Sequence, residues 1–121
     1  MIVCQFTRAG DPVPKGRPRF VRATGRTYTP AATMAYEAEI ALLARVASVK
    51  RTPTLADTFR LDLAFRRSDA RRVDLDNCIK AIEDSINAAG VWVDDFQVVE
   101  IRATIERRSK NPGVDVCVTL L

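Results

Sequence analysis

Asp74-Leu75-Asp76-Asn77-Cys78-Ile79-Lys80, followed one helix-length later by Gly90-Val91-Trp92-Val93-Asp94-Asp95, is the stretch around which the rest of the chain is read. Asp74 and Asp76 alternate about Leu75 as they would at the end of a strand, so both carboxylates can point the same way. Asp76 or Asn77 then suits a helix N-cap, because apolar residues at helical spacing (Ile79, Ile82, Ile86, Ala89) begin at once. With Asp76 at the cap, Lys80 falls about one turn later and lies over the same helix end. Gly90 is placed to close the helix at C′, and Val91-Trp92-Val93 returns the chain to a second acidic pair at a turn. Such a strand-helix-strand excursion can bring Asp94 or Asp95 back beside Asp74 and Asp76.

Three carboxylates and a lysine converging in this way would make a divalent-cation site beside a phosphate-binding cation. Mg²⁺ takes hard oxygen ligands and keeps several waters, so two or three carboxylates plus a substrate phosphate suffice. The bound ion polarises a phosphoryl oxygen and supplies hydroxide near neutral pH. The lysine offsets charge on the phosphorus oxygens or orients the attacking water. The same residue types also have a plainer use, because Asp-x-Asp-Asn caps helices and paired aspartates mark turns. The spacing on to Lys80 and then to Asp95 is what favours the site.

Composition narrows the chemistry. The chain has 121 residues, 47% of them apolar and 28% charged, enough for one domain with a core that needs no staples. No apolar run is long enough to span a bilayer, and the N-terminus lacks a charged-then-apolar signal pattern, so no membrane association and a cytoplasmic location are expected. Cys4, Cys78 and Cys117 are widely spaced and suit buried thiols. There is no histidine, which excludes Cys₂His₂ fingers, HExxH sites and Ser-His-Asp triads. A general base must be a carboxylate, a lysine or metal-bound water.

The net charge of +4 hides a sorted distribution. Residues 1–30 carry a local +5, residues 66–72 a local +3, and residues 74–100 a local −6. An acidic centre between basic segments suits a metal-dependent enzyme acting on a polyanion.

Along the chain, Ile2–Phe6 reads as a first strand ending at the turn Gly10-Asp11-Pro12. Val13-Pro14-Lys15-Gly16-Arg17-Pro18-Arg19-Phe20 cannot be a helix or a central strand, because two prolines remove donors and fix an extended path. It is expected as a basic arm whose Lys15, Arg17 and Arg19 grip a phosphate backbone. Residues 20–22 and 26–28 flank a turn as a short hairpin. A helix is expected from Thr29 (cap) and Pro30 (first helical position) to about Val49, with Met34, Ile40, Leu42, Leu43, Val46 and Ala47 on its apolar face. It is read as core or subunit interface, with Tyr36 partly buried. Phe59–Phe65 alternates as a half-buried strand. Arg66, Arg67, Arg71 and Arg72 follow in a basic loop that would hold DNA strands beside the acidic site. Gln97–Ile105 reads as a long strand, residues 107–113 as a basic turn, and Val114–Leu121 as a last strand antiparallel to its predecessor. This order gives an α+β domain over residues 1–121, a mixed sheet with two main helices packed against it.

The motif Asp74-x-Asp76-Asn77-x-x-Lys80, with Gly90-Val-Trp-Val-Asp94-Asp95-x-Gln97-Val98-Val99 downstream, resembles the RusA family of Holliday-junction resolvases. The match is close across residues 73–99. The leading segment Pro12-Val13-Pro14-Lys15-Gly16-Arg17-Pro18-Arg19 is similar to an element of many phage-type members. The resemblance implies metal-binding carboxylates at Asp74, Asp76 and Asp95, a catalytic Lys80, and Mg²⁺ as cofactor with Mn²⁺ as a substitute. It further implies a homodimer that nicks four-way junction DNA symmetrically, in recombination and repair, leaving 5′-phosphates. Asn77 is expected to cap the helix, with orientation of a carboxylate as its other role. Between Asp94 and Asp95, physics alone makes no choice, and the family pattern selects Asp95. Two other classes share these features: a metal-dependent nuclease of different substrate, and a non-catalytic basic DNA-binding protein.

Overall fold

The computed structural model describes every residue except 17, 18 and 29, and the backbone alone at 19–21 and 26–28. In chain order it contains β1 (Ile2–Ala9), β2 (Arg19–Val21), β3 (Arg26–Tyr28), α1 (Ala31–Ala47), β4 (Phe59–Arg66), α2 (Leu75–Ala89), a 3₁₀ turn (Asp95–Gln97), β5 (Val98–Glu106) and β6 (Gly113–Leu120). Strands β1, β6, β4 and β5 form, in that order, one four-stranded sheet, and β2 and β3 pair separately as the expected hairpin. The sheet is mixed, with β6 antiparallel to both β1 and β4, and β4 parallel to β5. This is the expected α+β domain.

The strict alternation of β4 decides which face is the core. Phe59, Leu61, Leu63 and Phe65 are buried while the residues between them are half-exposed. Leu61, Leu63 and Phe65 lie opposite Val118, Val116 and Val114 of β6, so one apolar layer runs across the two central strands. Each side chain so buried is worth about 1.5–3 kcal/mol. Helices α1 and α2 cover that layer. Cys78, Ala81, Ile82, Ser85 and Ile86 of α2 form its buried stripe, and Thr33, Tyr36, Ile40, Ala41 and Ala44 form that of α1. Small residues (Ala38, Ala41, Ser85, Ala88) line the seam between the helices.

Several expectations are corrected. Met34, Leu42 and Val46 face outward, because α1 is apolar on more than one side and only the stripe through Tyr36, Ile40 and Ala44 meets the sheet. Pro30 occupies the N-cap position of α1 rather than its first helical residue, and the cap read at Thr29 lies outside the described residues. Strands β5 and β6 are antiparallel in direction but are not neighbours, because β4 lies between them. Strand β4 ends at Arg66, so residues 67–74 are a loop and the pair Asp74/Asp76 does not extend a strand. Gly90 closes α2 as expected, with φ +76° and the Val91 N–H donating back to the Ile86 carbonyl at 3.4 Å. Among the described residues, no helix is long and apolar enough to cross a membrane.

Candidate active site

Asp74 is the N-cap residue of α2, its backbone carbonyl accepting from Cys78 N–H at 3.2 Å while its side chain makes no capping bond. Asp76 lies in the first turn, its Oδ1 accepting from Asn77 N–H at 3.0 Å. Asn77 is inside the helix, so the N-cap expected at Asp76 or Asn77 moves back to Asp74. Asp74, Asp76 and Asn77 are all exposed at a helix N-terminus, where the partial positive charge of the free N–H groups suits carboxylates. Cys78 turns the other way into the core, where burial pushes its thiol pKa up.

The loop that delivers Asp74 is tied down. Arg67 N–H donates to Glu106 O at 2.8 Å, Ser109 N–H to Arg67 O at 2.7 Å, and Arg108 N–H to Asp69 O at 3.0 Å. Arg107 Nη2 donates to the carbonyl of buried Val73 at 2.9 Å, one residue before Asp74. On the other side, Asp11 accepts from Ser68 N–H and Oγ–H at 2.7 and 2.6 Å. These bonds hold its carboxyl below the usual aspartate pKa, the hydroxyl contributing most.

The second acidic pair divides its labour. Asp94 caps the 3₁₀ turn, its side chain accepting from Phe96 N–H and its own N–H donating to Gln97 Oε1. Asp94-x-x-Gln97 is therefore a reciprocal capping box. Gln97, 1% exposed, also accepts from Val93 N–H and donates to the carbonyls of Thr54 and Asp57 at 2.7 and 2.9 Å. Trp92 packs against Phe59 with ring centroids 5.9 Å apart, anchoring the turn to the core. Asp95 is left facing Lys80, whose Nζ reaches its Oδ2 at 3.4 Å. The same ammonium meets Asp84 Oδ1 at 3.0 Å, and the bond to Asp84 leads the causes that raise the Lys80 pKa, so the lysine stays charged.

The structure thus brings Lys80 and Asp95 together across the α2–β5 connection. It does not gather Asp74, Asp76 and Asp95 into one cluster: among the described residues, no three acidic, cysteine or histidine side chains converge closely enough to hold a metal ion. Their chemistry still fits a hard divalent cation, since Asp74 and Asp76 are exposed, Asp95 is half-exposed, and neither thiolate nor imidazole competes.

The basic residues separate into two groups. Lys15 is internally paired, its Nζ meeting Glu37 Oε1 at 2.7 Å and Asp84 Oδ2 at 3.0 Å, and its N–H donates to Asn77 O at 2.9 Å. The leading segment is therefore docked along α2 at this point rather than standing free. Arg66 bonds Asp115 and the Asn111 carbonyl, and buried Arg67 bonds Asp69 and the Pro12 carbonyl, so both guanidinium groups brace the fold. Arg71 and Arg72 are exposed just before Asp74. Arg17 and the Arg19 side chain lie outside the described residues. Asp84 and Gln97 were given no role from sequence. Gln97 was findable, because Asp-x-x-Gln before an apolar run is a capping-box signature. A concavity of about 860 Å³ lies on the outer face of the sheet, its lining including Gln5, Thr7, Asp62, Ile101, Arg102 and Asp115, and includes no motif residue.

A mixed sheet backed by two helices, with exposed carboxylates and a paired lysine at the helix N-terminus and the following turn, defines a small α+β protein with a solvent-facing, charged candidate site. Comparison with known proteins makes the class specific. The profile of the family described as Endodeoxyribonuclease RusA matches residues 9–119. The chain is 32% identical over 109 residues to a crossover junction endodeoxyribonuclease RusA of Escherichia coli (strain K12), covering 89% of each chain. It is 31% identical over 109 residues to that of Enterobacteria phage 82, again covering 89% of each. The chain belongs to the RusA family of endodeoxyribonucleases.

Proposed function

We propose that this protein is a structure-selective DNA endonuclease that resolves Holliday junctions, cutting strands as symmetric pairs from a homodimer. The observation that carries the reading is the contact of Lys80 with Asp95, which unites the two halves of the motif in a chain of this family. The names of its relatives, crossover junction endodeoxyribonucleases, support the substrate.

Asp74, Asp76 and Asp95 would hold Mg²⁺, with Mn²⁺ as a substitute; such an ion, when bound, polarises a phosphoryl oxygen and lowers the pKa of its water. Lys80 presents a fixed positive charge to the non-bridging oxygens of the scissile phosphate, offsetting charge that builds as water attacks phosphorus. The P–O3′ bond breaks, leaving a 3′-hydroxyl and a 5′-phosphate. Arg71 and Arg72, exposed at the approach to Asp74, are placed to neutralise flanking phosphates and fix register without reading sequence. A two-fold homodimer would carry two such sites, matching the near two-fold symmetry of a four-way junction.

Asp76→Asn against wild type tests the site. In Mg²⁺ the variant is expected to bind four-way junctions as wild type does and to cut none of them. Tight junction binding with no cutting by wild type itself, in Mg²⁺ or Mn²⁺, would leave a non-catalytic DNA-binding protein.

A further inference from the structure

Asp84 lies one helical turn beyond Lys80 on α2, and its two carboxylate oxygens are used separately. Oδ1 meets Lys80 Nζ at 3.0 Å and Oδ2 meets Lys15 Nζ at 3.0 Å. Lys15 in turn meets Glu37 of α1 at 2.7 Å, and Lys80 meets Asp95 at 3.4 Å. Charges therefore alternate along one chain, Glu37, Lys15, Asp84, Lys80, Asp95, which crosses from α1 through the leading segment and α2 to the 3₁₀ turn.

An isolated Lys-Asp pair at i,i+4 on a solvated helix face is too weak to hold a lysine in one place. Three observations separate this pair from that case. First, Asp84 is itself gripped by a second cation. Second, that cation is fixed at both ends, its Nζ by Glu37 and its backbone N–H by the Asn77 carbonyl at 2.9 Å. Third, side-chain exposure rises from 20% at Glu37 through 27% at Lys15 and 29% at Asp84 to 50% at Lys80, and is 35% at Asp95. The network is rooted between the helices and is most open at the Lys80 ammonium. The contact to Asp95 is the longer of the two that Lys80 makes, so Asp95 can turn to another partner while Asp84 keeps the lysine in place.

From this we infer that Asp84 is a positioning residue for Lys80, and that Lys15 and Glu37 hold Asp84 in turn. The inference rests on the proposed nuclease reading for its effect on cleavage, but not for its effect on Lys80. Lys15 then serves the site from within, as a link between the leading segment and α2, and not as a grip on the DNA backbone.

The test joins a spectroscopic readout to a kinetic one. Nitrogen-detected NMR of the lysine side-chain ammonium groups reports Lys80 and Lys15 directly in wild type, Asp84→Asn and Asp84→Glu, with thermal unfolding to confirm that each variant is folded. Single-turnover cleavage of a four-way junction at saturating enzyme is measured beside the junction Kd in EDTA. Asp84→Asn is expected to broaden or shift the Lys80 signal and to slow cleavage by about tenfold to a hundredfold, as misplacement of a reacting group by about 1 Å does. Its junction Kd should stay within threefold of wild type, and Asp84→Glu should recover part of the rate. In a Lys80→Ala background, Asp84→Asn should slow cleavage no further, since both changes remove the same contribution. Lys15→Met should reduce the rate at saturation with little change in Kd.

An unchanged Lys80 signal and rate in Asp84→Asn would overturn the inference. So would an equal further loss in the Lys80→Ala background. A rise in Kd with an unchanged saturated rate in Lys15→Met would return Lys15 to the DNA backbone and break the chain at that link. If wild type cuts no junction yet Asp84→Asn still releases the Lys80 signal, the nuclease reading falls and the positioning of Lys80 by Asp84 stands.

Discussion

At Asp94 and Asp95, two identical side chains on adjacent residues are separated by their hydrogen bonds alone. Spacing along the chain allows either to return toward Lys80, and only the family pattern selects Asp95. The capping box commits Asp94 to the backbone of the 3₁₀ turn, and Asp95 is the one that reaches Lys80. An asparagine at 94 can still accept from Phe96 N–H through its side-chain oxygen, so Asp94→Asn should keep most of the cleavage activity. Asp95→Asn removes a charge facing Lys80 and should lower single-turnover cleavage by about a hundredfold or more. A dead Asp94→Asn beside an active Asp95→Asn would reverse the assignment. The motif residues were legible because their types are rare in combination, whereas Asp84 was not, since one more acidic residue on a helix face carries no signal until its partners are known.

Among the elements, those whose period is unambiguous were readable in advance. The alternation of β4, the turn between β2 and β3, and Gly90 at the end of α2 all appear where pattern and turn chemistry put them. The start of α2 was not fixed by sequence, because Asp74, Asp76 and Asn77 are all good capping residues and local preference cannot rank them. The buried face of α1 was missed for a related reason: Met34, Leu42 and Val46 blur the stripe that tertiary packing selects. The 3₁₀ turn depends on Gln97, whose amide serves two backbone donors and two backbone acceptors. Gln97→Glu keeps its shape but replaces the two donor bonds with an oxygen facing two carbonyls. It should destabilise the protein by about 2–4 kcal/mol in denaturant unfolding, by stranding buried polar groups. Cleavage should also fall in the fraction that stays folded, because Asp95 leaves its place. A variant as stable and active as wild type would show that the turn holds without this side chain.

The whole molecule folds the ends of the chain onto each other, and this long-range step is what sequence reading could not supply. Strand β6 inserts between β1 and β4, burying Val114, Val116 and Val118 on the core face, a pairing that does not follow from adjacency in the chain. The basic segments likewise divide only once folded, with Lys15, Arg66 and Arg67 turned to internal partners and Arg71 and Arg72 left exposed. Carboxylates that brace this closure set the acid limit of stability. The Asp11 pKa is lowered in the fold, so its contribution is present above the unfolded value of about 3.9 and is lost as pH falls through the lower folded value. Asp11→Asn should therefore melt earlier than wild type at pH 7, with the gap closing below about pH 4. A gap that persisted at pH 2 would show that the Ser68 contacts do not depend on charge.

If this fold cuts junctions, mapping the nicks is the most direct measurement of it. A mobile four-way junction labelled on each arm in turn is incubated with wild type in Mg²⁺, beside linear duplex of the same sequence. Paired nicks at symmetric positions on opposing strands are expected, with the duplex left intact. Equal cutting of the duplex, or single nicks without a symmetric partner, would contradict the proposed function.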